Sequence, residues 1–174
     1  TMKQGYLQIY TGNGKGKTTA AMGLALRAAG AGLRVYIGQF VKDMKYSEVR
    51  LMEKALPQIT IELLGKGCFI DRPPEESDRQ AAQEGLEHVA QLMESGQYDV
   101  MILDEISIAI VCGLIQEEDV LALIERRPQG MELVLTGRYM PSCLMEKADL
   151  ITEMQEVRHY YTEQGVLARD GIER

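Results

Sequence analysis

The stretch TGNGKGKTTAA, Thr11 to Ala21, places three glycines and two lysines in six consecutive positions, directly before a run of alanines and leucines. Gly12, Gly14 and Gly16 permit the positive φ angles that turn successive backbone N–H groups inward, and the helix that follows aims its dipole at the same anion. Lys17 is suited to neutralise phosphate oxygens, and the Thr18 hydroxyl to ligate Mg2+. The pattern is that of the phosphate loop G-x-x-x-x-G-K-[ST], with Gly16-Lys17-Thr18 at its end and Thr11 where the first glycine usually stands. A second constellation lies farther along: four apolar residues, Val100 to Leu103, deliver Asp104-Glu105 to the end of a buried strand. Two carboxylates there are costly unless they meet a cation. Together the two motifs read as a Walker A and Walker B pair for a nucleotide with Mg2+. Glu105 can position a water for hydrolysis or orient the magnesium shell, so these residues by themselves leave hydrolase, kinase, motor and transferase open.

Short apolar runs rich in β-branched residues must position these groups: 6–11, 33–40, 59–64, 100–104, 131–136 and 148–154. Segments with helical spacing separate them, which predicts an α/β three-layer P-loop fold of the RecA-like kind, a mainly parallel sheet of about six strands with helices on both faces. Residues 17–29 form a helix with Ala21, Leu24, Ala25 and Ala28 on one face, ended by Gly30 and Gly32. A second helix follows Pro73-Pro74, with Ser77 and Gln80 as a capping box and Gly96 as its stop. A third opens acidic at residues 116–119 and closes basic at Arg126-Arg127 before Pro128.

The chain has 174 residues, 45% of them hydrophobic, which suffices for one core, so residues 1–174 read as a single domain. A net charge of −7 argues against nucleic acid as the partner, since displacing its counterions requires an electropositive surface. No segment reaches the ~18 unbroken apolar residues of a membrane span. Cys68, Cys112 and Cys143 form no CxxC pair and fit a reducing cytoplasm, packing as small hydrophobes. His88 and His159 stand apart from any ligand cluster, which favours structural roles over metal binding.

The loop and first helix, TGNGKGKTTAAMGLALRAAGAG, resemble those of the ATP:corrinoid adenosyltransferases, whose typical form is TGNGKGKTTAAFG followed by RAxGxG. That family shares the displaced first glycine. Further matches follow in order: Gln39-Phe40-Val41-Lys42 for QFIK, Leu103-Asp104-Glu105 for LDE, Arg127-Pro128 for RP, Leu135 to Arg138 for TGR, then Ala148-Asp149 and Thr152 to Met154. A tail with His159, Gly165, Ala168 and Gly171-Ile172-Glu173 is similar to HxFxxGxxAxxGIE.

The resemblance implies that cobalt(I) of a reduced corrinoid attacks the 5′ carbon of ATP, forms adenosylcobalamin or an adenosylcobinamide-type product, and expels triphosphate. It implies an ATP site at Gly12, Asn13, Gly14, Lys15, Gly16, Lys17, Thr18 and Thr19, with Lys42 and Arg138 as added cations. Lys17, Thr18, Asp104 and Glu105 become the catalytic set, and Thr18, Asp104 and Glu105 the Mg2+ ligands. An electron-donating, flavodoxin-like reductase and a homodimer are further expectations. Where relatives show G-F-T-W, this chain has Gly67-Cys68-Phe69-Ile70, the expected corrinoid contact, with one aromatic in place of two. Phe69 either packs on the corrin face and, with Ile70, excludes the axial ligand, or anchors its loop to the core. The competing reading of the whole chain is a P-loop ATPase or ATP-driven binding module of RecA-like type.

Overall fold

The computed structural model describes residues 2–42, 44–65 and 72–174. Within them the elements run β1 (Leu7–Thr11), α1 (Lys17–Gly30), β2 (Val35–Gln39), α2 (Ser47–Ala55), β3 (Ile59–Leu63), α3 (Glu76–Glu94) and β4 (Val100–Asp104). The second half continues α4 (Ile106–Val111), α5 (Glu117–Glu125), β5 (Glu132–Thr136), α6 (Ser142–Met145), β6 (Leu150–Glu153) and α7 (Tyr160–Gln164). The strands form a six-stranded sheet in the order β3-β2-β4-β5-β1-β6, every pair parallel. All strands therefore point their C-terminal ends toward one edge.

Side chains alternate along each strand, so the apolar runs feed two cores. Met101 and Leu103 of β4, with Leu133 and Leu135 of β5, pack beneath Leu86, Val89 and Met93 of α3 and Leu123 of α5. Val100 and Ile102 of β4 and Val35 and Ile37 of β2 face the other way, onto Ala21, Met22, Ala25 and Ala28 of α1 and Met52 of α2. The alanines of α1 are the reason it seats closely on the sheet, holding its first residues, Lys17 and Thr18, at the strand ends.

The six parallel strands and the helix on both faces follow the sequence-based expectation, and three details differ. Helix α3 is capped by a box between Glu75 and Asp78, two residues earlier than Ser77 and Gln80, because the Asp78 carboxylate is buried and accepts from the Glu75 backbone N–H. Gly30 lies inside α1, and Gly32, at φ +83°, makes the turn. Strand β6 is exposed along its whole length, as an edge strand lacking a helix above it. Cys112 and Cys143 pack partly buried against the core as expected, but Cys112 is disulfide-bonded whereas Cys143 is free. No helix among the described residues is long and apolar enough to cross a membrane.

The β4 strand carries the acidic pair, so its packing sets the site. Leu103 is fully buried between β2 and β5. Leu103→Ala should destabilise the protein by roughly 2–5 kcal/mol, through lost burial plus a cavity. Urea unfolding followed by circular dichroism measures this, with an unchanged m-value expected.

Candidate active site

At the C-terminal edge the strands end in polar residues that are buried: Thr11 on β1, Gln39 on β2, Asp104 on β4 and Thr136 on β5. Polar groups are held in such positions only when they satisfy one another or a ligand. Asp104, with no exposed surface, is where they converge. Its Oδ1 accepts from the hydroxyls of Thr18 (2.9 Å) and Thr136 (2.7 Å), and its Oδ2 from Gln39 Nε2 (3.1 Å) and Lys42 Nζ (2.8 Å). Four donors fill the four lone-pair directions of a carboxylate. Gln39 Oε1 has no hydrogen-bond partner, the one such buried side-chain atom among the described residues.

The same strand end imposes an unusual backbone on the next residue. Glu105 adopts a left-handed conformation, φ 61° and ψ 24°, which non-glycine residues rarely take and which marks functional sites. Its N–H donates to Thr136 Oγ1 at 3.0 Å, and its carbonyl accepts from the Ile108 N–H at the start of α4. Thr136 thus fixes Asp104 and Glu105 together. The Glu105 carboxyl is held above its ordinary value of 4.5, by burial first and the Asp104 charge second, against the pull of Lys42, Lys17 and Arg138.

The phosphate loop joins β1 to α1 with Gly12 at φ +97° and Gly16 at φ +120°, as expected of a turn that left-handed residues make. Gly14 serves a different purpose. Its N–H donates to the Met154 carbonyl at 2.7 Å, and a Cβ there would lie 2.8 Å from the Met154 backbone. The expectation that three successive glycines turn their N–H groups inward therefore fails at Gly14, whose N–H is committed to the chain just past β6. Lys17, buried, folds its ammonium onto the Gly14 carbonyl at 2.8 Å. Burial first, then the nearby Arg138 charge, lowers its pKa. A desolvated cation beside a second cation is a strong attractor for an anion.

Lys15, Gly16, Lys17, Thr18, Thr19, Lys42, Glu105 and Arg138 line one cavity of about 290 Å3, joined by Tyr46, Glu48, Ile172 and Glu173. Ser107 Oγ donates to the Arg138 carbonyl at 2.6 Å and fixes that part of its wall. Gly12 and Asn13 are not in this cavity. They line another of about 340 Å3 on the far side of the loop, with Tyr139, Met140, Met145 and Ile151. The candidate corrinoid residues Gly67, Cys68, Phe69 and Ile70 lie outside the described residues. His88 pairs with Glu62 at 2.8 Å, and His159 caps α7 by accepting the Tyr161 N–H, so both histidines have structural partners.

Sequence reasoning left Gln39 and Thr136 out of the site, although each sits inside a quoted motif. The signal was available: each is a polar residue closing an apolar strand, the same signal that singled out Asp104.

A family model described as ATP:corrinoid adenosyltransferase BtuR/CobO/CobP matches residues 3–174. The chain belongs to the ATP:corrinoid adenosyltransferase family. Among its relatives is a corrinoid adenosyltransferase of Pseudomonas aeruginosa, 31% identical over 98% of this chain and 84% of that one. The corrinoid adenosyltransferase of Escherichia coli K12 is 32% identical over 98% and 86% of the two chains. In fold alone, the chain is similar to the flagellar accessory protein FlaH of Methanocaldococcus jannaschii, with a TM-score of 0.60, 15% identity, and coverage of 87% of this chain and 72% of that one.

For this adenosyltransferase the raised Glu105 pKa has a stability consequence. A carboxyl whose folded pKa exceeds its unfolded one stabilises the fold below the unfolded value, and that contribution is lost as pH rises through the folded value. Glu105→Gln should therefore melt higher than wild type near neutral pH, without nucleotide or divalent cation. The gap should close as pH falls below about 4.5. Scanning calorimetry across that range checks it; a gap that stays constant with pH would show that ionisation of Glu105 is not its cause.

Proposed function

We propose that this adenosyltransferase grips ATP by its triphosphate, between the Gly16-Lys17-Thr18 turn and the cations Lys42 and Arg138, and leaves the 5′ carbon open to cobalt(I) of a corrinoid. The observation that carries this reading is the cavity itself, in which lysines and an arginine from three separate chain segments face one space at the strand ends. In this reaction the protein has little covalent work to do. The nucleophile is the substrate's own reduced cobalt, and the new carbon–cobalt bond forms as the carbon–oxygen bond to triphosphate breaks. Charge then grows on the leaving group. Lys17, released from the Gly14 carbonyl, and the free loop N–H groups are placed to stabilise it, as preorganised donors that need no reorientation of solvent.

The residues also fit a divalent cation. Thr18 Oγ1 and the Asp104 carboxylate lie together, with Glu105 on the same cavity wall and only one hydroxyl among the hard ligands offered directly. Such a set suits an ion like Mg2+ that retains most of its water and takes the rest of its shell from phosphate. When bound, it would supply further charge neutralisation on the triphosphate. Gly67 to Ile70 remain the proposed corrinoid contact on the strength of the family resemblance, with a flavodoxin-like reductase as electron donor and a homodimer as the working form. Because the reaction needs cobalt in its reduced state, a reducing compartment, the cytoplasm, is the proposed location.

Anaerobic incubation with ATP, Mg2+ and chemically reduced cobalamin should generate the adenosylcobalamin spectrum with one triphosphate per corrinoid alkylated. Lys17→Ala should lower the rate roughly 100- to 1,000-fold, the range for loss of one preorganised charge donor. Release of ADP and phosphate with no corrinoid alkylated would identify an ATPase, with Glu105 positioning water.

A further inference from the structure

The Lys42 ammonium stands in the wedge between the two oxygens that a divalent cation would use. It donates to Asp104 Oδ2 at 2.8 Å and to Thr18 Oγ1 at 3.3 Å. Thr18 meanwhile spends its own proton on Asp104 Oδ1. The hydroxyl lone pair facing the cavity and the outward lone pair of Oδ2 are thus both taken by one ammonium group. The other two donors to Asp104, Gln39 and Thr136, have no exposed surface and sit on adjacent strands, so neither can withdraw without disturbing the sheet. Lys42 is different. It follows the end of β2, its side chain keeps 11% of its surface exposed, and its ammonium lies 4.9 Å from the centre of the Tyr46 ring, toward the cavity.

We propose that Lys42 is a resident counter-ion that holds the Thr18–Asp104 pair closed to divalent cations until a triphosphate arrives, and then transfers its charge from Asp104 to the phosphates. The exchange conserves charge at each stage. Without nucleotide, the ammonium neutralises a buried carboxylate that would otherwise be destabilising. With nucleotide, the long flexible stem carries the same charge the short distance into the cavity, and the vacated oxygens become available to the ion that accompanies the phosphates. A monovalent ammonium and a divalent ion cannot share the wedge, because their repulsion is not screened at that depth. Lys42 is therefore a positioning residue that couples metal entry to substrate entry, keeping the site from binding the metal alone.

The inference rests on reading Thr18 and Asp104 as the metal site, and the test separates the two. Mn2+ binding is followed by electron paramagnetic resonance with and without inorganic triphosphate. Wild type should bind Mn2+ poorly alone and tightly with triphosphate. Lys42→Met should bind Mn2+ alone about tenfold more tightly than wild type, a coupling of ordinary size, while binding triphosphate more weakly. Lys42→Gln, which also lacks the charge, should do the same. Unchanged Mn2+ affinity in folded variants would overturn the counter-ion role. Absence of Mn2+ binding even with triphosphate, in wild type, would instead overturn the metal site.

A measurement on wild type alone guards against misfolded variants. In 15N-lysine-labelled protein, the Lys42 Nζ resonance should shift when Mg2+ and triphosphate are added together, and stay in place with Mg2+ alone. A shift with Mg2+ alone, or none with both, would contradict the proposal.

Discussion

A carboxylate with no exposed surface, Asp104, is the constraint on which the rest of this site depends. Burying such a charge is costly unless every lone pair finds a donor, and here four donors come from four different segments: Thr18 on α1, Gln39 on β2, Lys42 beyond it and Thr136 on β5. Meeting that requirement fixes the relative positions of α1, β2, β4 and β5 at the sheet edge. Thr136 extends the constraint to the Glu105 backbone, and Thr18 extends it to the phosphate loop. The hydrogen bonds that satisfy this one buried anion are also those that hold Thr18 and Asp104, the proposed metal ligands, side by side.

The loop is held from its other side as well. Met154, just after the exposed edge strand β6, accepts the Gly14 N–H and donates its own N–H to the Thr11 carbonyl. A side chain on Gly12 or Gly14 would collide with that backbone. These glycines answer to the close approach of the chain just past β6 as much as to an anion, so their spacing reports packing as well as phosphate binding. The tail adds a further wall. Ile172 and Glu173 line the cavity, and Ser47 Oγ donates to the Arg174 carbonyl, so the last described residues lie across α2 beside the phosphate loop. Glu173, engaged by Arg169 and Tyr160, has its carboxyl lowered to about 2 and stays ionised there.

Much of this was legible in the residue pattern, and the omissions have physical causes. VMILD announced both β4 and its buried acid, because an apolar run that ends in a carboxylate has few stable explanations. The Ala-rich helix after the loop was legible for the same reason. Helix α2 was not, since only Val49 and Met52 of its nine residues are buried, too few to set a helical period. Helix α4 was hidden because ISIAIV reads equally as a strand; what makes it a helix is the left-handed turn at Glu105. In the site, the charged members and the neutral loop residues Gly16, Thr18 and Thr19 were found, and the neutral strand-end residues Gln39 and Thr136 were missed. Gln39 and Thr136 each close an apolar strand as Asp104 does, but what they hold, the Asp104 carboxylate on the strand between them, follows only from the strand order of the sheet.

The most direct measurement is the rate of adenosylcobalamin formation by Asp104→Asn with pre-reduced cobalamin, on protein shown to be folded by circular dichroism. The amide keeps the shape but removes the charge that holds Lys42 and Thr18 in register. A loss of roughly 100- to 1,000-fold with the fold intact is the predicted result. A folded Asp104→Asn protein that transfers adenosyl at close to the wild-type rate would contradict the account.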